Sequence, residues 1–126
     1  MCRSKGVSRG IVRVDGEIGP DRERTATVKF MVDTGSLYTF VSPALAAELG
    51  LQLPESTTVV MANGSRVTAP IGFAYLRIGD REGGTLVATM DVQEPLLGAV
   101  SLQGLGLNVN TVDETIEFSG RYPPPA

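Results

Sequence analysis

The chain has 126 residues, 42% of them apolar, and a formal charge of −3. That length fits one domain, 1–126, with residues 1–9 and 120–126 read as flexible ends. The mixed charge lacks the basic stripe a nucleic-acid partner needs, and no apolar run approaches membrane-spanning length.

With no histidine and Cys2 as its one cysteine, the chain cannot by itself build a Ser-His or Cys-His catalytic site, a His/Cys zinc site or an internal disulfide. Fifteen glycines, many Val and Thr residues and few long helical segments favour a β-rich domain with many turns. Arg3, Lys5, Arg9 and Arg13 read as part of a solvated terminal arm. That arm has charge but no apolar stretch of the signal-peptide kind, so the expected compartment is the cytoplasm.

Ile11–Val14 reads as a strand, residues 16–24 (GEIGPDRER) as a turn, and Thr25–Val32 as a second strand running into Asp33. Within TFVSPALAAELGLQLP, Ser42 is a natural helix cap, Pro43 suits the first helical position and Gly50 suits the stop. Residues 57–79 read as a hairpin around Asn63-Gly64, a pair suited to a two-residue type I′ turn. Its return arm, Arg66–Ile78, is long enough to bend near Pro70-Ile71-Gly72 and enter a second sheet. GDREGG reads as a turn and Thr85–Val92 as a strand. EPLLGAVSLQGLGLNV packs an apolar run onto Gly98, followed by a short helical piece, Gly104 and Gly106. Residues 111–114 read as a turn before a last strand, Thr115–Phe118, and the proline-rich end YPPPA cannot join a central strand.

One residue in this pattern asks for a chemical explanation. Asp33 stands between Phe30-Met31-Val32 and Leu37-Tyr38-Thr39-Phe40-Val41, where apolar neighbours make a lone carboxylate costly to ionise. Asp-Thr-Gly by itself is ordinary turn chemistry. Three elements in order are more specific: FMVDTGSLYTFV, then MANGS, then EPLLGAVSLQGLGLNVN. Together they resemble the retropepsin-type aspartic proteases, the small single-lobe relatives of pepsin found in retroviruses, retrotransposons and short bacterial proteins.

The resemblance implies an all-β fold with one or two short helices, a closed β-barrel-like acid protease lobe. It implies a peptidase that needs no cofactor or metal and acts on a peptide or protein substrate. Such enzymes activate water between two carboxylates, one protonated and one ionised, because like charges about 3 Å apart cannot both ionise. This chain has one Asp-Thr-Gly, so the second carboxylate is expected from Asp33 of a twofold-related copy in a homodimer. Thr34 would bond across the dimer axis, Gly35 would admit substrate close to the backbone, and Ser36 would donate a hydrogen bond to the Asp33 carboxylate. Met61, Ala62, Asn63, Gly64 and Ser65 would form a flap, and Leu96, Leu97 and Gly98 would run beneath the catalytic loop. Leu37, Met61, Val100 and Leu102 would line apolar substrate pockets.

The chain departs from the retroviral pattern in two places. Acidic residues after the motif and an arginine after the later glycine are replaced here by Leu37-Tyr38 and Ala99, so the usual ion pair is absent on both sides at once. RYPPPA is also poorly suited to the interleaved terminal sheet of retroviral dimers. The joint loss of the ion-pair partners brings the chain closer to bacterial and retrotransposon relatives. The competing reading is a protease-like module that binds peptides or dimerises with little or no turnover.

Overall fold

In the computed structural model, which describes residues 11–110, 112, 113 and 115–118, the first hairpin is tighter than its sequence suggests. Strand β1 (Arg13–Asp21) runs straight through the glycines and proline that read as a turn, and pairs antiparallel with β2 (Arg24–Val32). These glycines serve close packing. A Cβ on Gly19 would lie 1.8 Å from the Arg24 carbonyl oxygen, and one on Gly16 would lie 3.0 Å from Phe30 Cε2. Pro20 falls where the register shifts between Ile18 and Asp21, a bulge position that tolerates a missing donor. The turn itself is short because the Asp21 carboxylate accepts the Glu23 and Arg24 N–H groups, both at 3.0 Å.

After β2 come β3 (Thr39–Val41) and helix α1 (Pro43–Leu49), which begins and ends where its sequence signals lie. Ser42 Oγ accepts the Leu45 N–H at 3.1 Å, and Gly50 takes φ +74° at the C-terminus. Strand β4 (Glu55–Val60) pairs with the first part of β5 (Arg66–Ile78). The second part of β5, from Ile71 on, pairs with β6 (Arg81–Thr89), while Tyr75–Arg77 also pair with β1. The change of partner occurs at Gly72, where a Cβ would meet the Gln52 carbonyl oxygen at 2.3 Å. Strand β6 starts earlier than expected, because the turn takes only Gly79-Asp80, with Gly79 at φ +62°. It also ends at Thr89, short of Val92.

The chain then forms β7 (Leu96–Leu97), α2 (Ala99–Gly104), β8 (Leu107–Asn110) and β9 (Thr115–Phe118). Strand β8 has no counterpart in the sequence reading; it pairs with β9 as a separate two-stranded sheet. The Arg81 guanidinium lies 5.0 Å from the centre of the Phe118 ring and donates to the Leu105 and Gly106 carbonyls, which fastens this sheet to the body.

The main sheet has the order β1-β2-β7-β3-β6-β5-β4, and the β1–β5 pairing closes all but β4 into a ring. The expected β-rich class with two short helices is therefore the observed one. Fully buried Ile18, Phe30, Val41, Leu76, Val87 and Leu97 fill the centre. Among the described residues no helix is long and apolar enough to cross a membrane. Cys2, the basic residues Arg3, Lys5 and Arg9, both expected flexible ends and positions 111 and 114 of the expected turn lie outside the described residues. Arg13, grouped above with the arm, belongs to β1 and makes a bidentate pair with Glu94 at 3.0 and 3.1 Å.

Candidate active site

Two-residue β7 occupies a crowded position. It runs parallel to β2, with Met31 opposite Leu96 and Val32 opposite Leu97, and meets β3 antiparallel at Phe40. The loop from Asp33 to Tyr38 joins β2 to β3 and so arches over it. Backbone bonds fasten that loop at both ends. Asp33 N–H donates to the Leu97 carbonyl at 3.0 Å, Ala99 N–H to Ser36 at 2.8 Å, and Val100 N–H to Leu37 at 3.0 Å. Gly98 sits at the crossing, where a Cβ would come within 2.2 Å of the Tyr38 carbonyl oxygen.

A buried chain of hydroxyls supports the crossing from below. Gly98 N–H donates to Thr39 Oγ1 at 3.1 Å; Thr39 Oγ1 lies 2.6 Å from Ser101 Oγ, which lies 2.5 Å from Thr85 Oγ1. Each buried hydroxyl thus has a partner, and a low dielectric makes losing one costly. Ser101→Ala is expected to leave the Thr39 and Thr85 hydroxyls short of a partner and to destabilise the fold by about 1–3 kcal/mol, read as a lower denaturant midpoint at unchanged slope.

The Asp33 side chain is half-buried, and Thr34 and Gly35 are exposed. Its Oδ1 accepts the Gly35 N–H at 3.1 Å, its one hydrogen bond among the described residues. The Ser36 hydroxyl, expected to donate to this carboxylate, instead donates to the Tyr38 carbonyl at 2.8 Å. It has a single proton, and the tight turn presents it with a backbone acceptor two residues on. A Cβ on Gly35 would make only an ordinary 3.4 Å contact with Asp33 Oδ1, so packing within this chain does not require glycine there.

Above the loop lies a cleft of about 650 Å³. It is lined by Asp33, Gly35, Ser36 and Leu37 of the loop, by Thr58–Ala62 of the β4–β5 hairpin, by Met90–Val92 and Leu96, and by Tyr38 and Phe40. The Tyr38 and Phe40 rings pack edge to face with centroids 6.5 Å apart. Leu37 and Val60 are 57% and 61% exposed, a large apolar surface for a cleft wall.

Of the residues singled out from sequence, Asp33, Gly35, Ser36, Leu37, Met61, Ala62 and Leu96 meet at this cleft. Leu97 and Gly98 are buried beneath the loop. Thr34, Val100, Asn63, Gly64 and Ser65 are not among its lining residues. Leu102, expected in a substrate pocket, is 4% exposed and belongs to the hydrophobic core, because α2 turns that face inward.

The hairpin tip also differs from the expected type I′ turn. Gly64 N–H donates to the Met61 carbonyl at 2.9 Å and Met61 N–H to the Ser65 carbonyl at 2.7 Å, which puts Ala62 and Asn63 in the central positions. Gly64, at φ +87°, follows them as the bulge of a three-residue loop. Asn63 Oδ1 accepts both the Ser65 N–H at 2.9 Å and its hydroxyl at 2.7 Å, which favours this arrangement.

Tyr38, Phe40, Thr58, Val59, Val60, Met90, Asp91 and Val92 line the cleft without having been singled out. Tyr38 and Phe40 follow the motif directly and were legible as neighbours; the others arrive through strand pairing that no local signal encodes. Among the described residues no three His, Cys, Asp or Glu side chains gather as metal ligands.

A family model described as aspartyl protease matches residues 12–109, which run from β1 into β8 and include every residue lining the cleft. No curated protein shows significant similarity to the chain. A match over most of the length, together with a ring of strands consistent with a single-lobe protease, establishes that this chain belongs to the retropepsin-like aspartyl protease family.

Proposed function

We propose that the chain is an aspartic endopeptidase that hydrolyses peptide bonds in extended substrates, using a dyad formed by Asp33 and the Asp33 of a second copy. The observation that carries this reading is the Asp33 loop: it is clamped at both ends, yet its carboxylate is half-buried in an open cleft and accepts a single backbone N–H. A fixed carboxylate with spare acceptor capacity suits a symmetric partner.

In the proposed reaction the ionised carboxylate takes a proton from water as the water oxygen bonds to the substrate carbonyl carbon. The protonated carboxylate gives its proton to the carbonyl oxygen, producing a tetrahedral diol. The C–N bond then breaks as a proton passes from the dyad to the leaving nitrogen and the second carboxylate recovers the diol proton, which restores one proton to the pair. Thr34, exposed beside Asp33, would bond across the twofold axis. Gly35 would let the substrate backbone approach, in keeping with the lack of any packing demand for glycine there. Met61–Ser65 would close over substrate as a flap. Leu37, Val60 and Met61 would favour apolar side chains beside the cleaved bond.

The test is the dependence of turnover on concentration. At high dilution, activity on an unstructured protein at pH 4–6 is expected to rise with the square of chain concentration and to be blocked by a pepstatin-like transition-state mimic. Sedimentation over the same range is expected to show a monomer giving way to a dimer. Strictly linear activity from a sedimenting monomer would rule out the shared dyad, and peptide binding with no cleavage at any concentration would favour the binding-module alternative.

A further inference from the structure

We infer that the cleft carries a cation-selecting subsite built on Asp91, and that the preferred substrate places a lysine or arginine side chain there. This rests on the reading of the cleft as a peptide site, and it adds a charged specificity element to the apolar pockets.

Asp91 follows the end of β6, where Met90 N–H donates to the Val41 carbonyl at 3.2 Å and Val92 N–H donates back to the Met90 carbonyl at 2.8 Å. The second bond closes a three-residue turn with Asp91 at its apex, so the position is held by backbone geometry. The side chain is exposed, and among the described residues no N–H, hydroxyl or cation bonds its carboxylate. Among the described residues the exposed Glu23, Glu48 and Glu55 also lack a side-chain partner, but of these carboxylates Asp91 alone lines the cleft.

The surroundings give this carboxylate a use. Asp33 and Asp91 are the ionisable carboxylates of the cleft, and no Lys or Arg lines it. A concave, mostly apolar wall concentrates the field of such uncompensated charge and draws in cations. The same wall suits the rest of a long basic side chain. Met90 and Val92 flank Asp91 and can cover an aliphatic stem, while the half-buried Tyr38 offers aromatic surface to a cationic head. A carboxylate left unpaired in such a cleft also disfavours acidic side chains at that subsite by repulsion.

The experiment uses the full chain carrying Asp33→Asn, so that binding is read without turnover. One apolar peptide sequence is prepared with Lys, Gln or Glu at each position in turn, and binding is measured by fluorescence anisotropy. At one position Lys is expected to bind about tenfold tighter than Gln, the scale of one partly desolvated charge pair, with the difference shrinking in high salt. Adding Asp91→Lys is expected to reverse the order, so that Glu binds tighter than Lys; circular dichroism verifies that this exposed substitution leaves the fold unchanged. No position preferring Lys by more than twofold, or a Lys preference that survives Asp91→Lys, would overturn the subsite. Cleavage by the parent chain, run in parallel, separates the two ideas: cleavage without a Lys preference rejects the subsite alone, and a reversible Lys preference without cleavage rejects the peptidase reading alone. No binding of any peptide rejects both.

Discussion

Asp33→Asn should abolish peptide hydrolysis while leaving the fold in place. Removing the acid–base group of a positioned dyad is expected to lower kcat by roughly 10²–10⁴-fold or more, because an amide neither accepts the proton of the attacking water nor returns one to the leaving nitrogen. Asparagine retains an oxygen that accepts the Gly35 N–H, and the backbone bond from Asp33 to Leu97 does not involve the side chain. The melting temperature should therefore move little, and melting followed by circular dichroism separates chemical loss from unfolding. A dyad shared between copies adds a second signature. Excess Asp33→Asn chain should poison wild-type activity, since each mixed dimer holds one carboxylate and one amide. Undiminished turnover in the variant would remove Asp33 from the reaction.

Gly98→Ala should damage stability and activity together. The glycine has φ −95° and ψ 176°, values open to any residue, so backbone strain is not the problem. Space is: the added methyl would fall 2.2 Å from the Tyr38 oxygen and 2.4 Å from the Tyr38 carbonyl carbon. Those are backbone atoms of the loop that carries Asp33, and they cannot swing aside as a flexible side chain does. Relief requires separating β7 from the loop, which breaks the Ala99-to-Ser36 and Val100-to-Leu37 bonds and disturbs the Gly98 bond to Thr39. The expected cost is about 3 kcal/mol, the upper part of the range for overpacking, and a fall in melting temperature of roughly 10 °C. Because the displaced atoms position Asp33, activity should fall further than the folded fraction does. Wild-type turnover per folded molecule in this variant would mean that the crossing supports the fold but does not set the carboxylate's position.

The local signals were legible where one short segment carried all the physics. The ends of α1 were readable because Ser42, Pro43 and Gly50 act on their immediate neighbours. The Asp33 motif and the Leu96-Leu97-Gly98 run were readable because each pairs an apolar strand with residues unusual at its end. Misreadings arose where glycine had two uses. Gly16, Gly19, Gly83 and Gly84 looked like turn residues and lie within strands; at Gly19 the reason is a backbone approach that no side chain permits. Leu102 looked like a pocket residue because an apolar helix position reads the same whether it faces the core or a cleft. Ser36 was assigned to the nearest carboxylate, and a tight turn gave its proton to Tyr38.

By itself, the sequence determined the β-rich class, the capped helix and the motif bearing Asp33, because propensity, capping and motif chemistry act over a few residues. Only the tertiary structure decided that the β1–β5 pairing closes the ring, that Leu102 belongs to the core, and that Asp91 lines one cleft with Asp33. Those relations depend on which strands pair across long separations, and pairing is chosen by the burial of the whole ring rather than by any one stretch of chain.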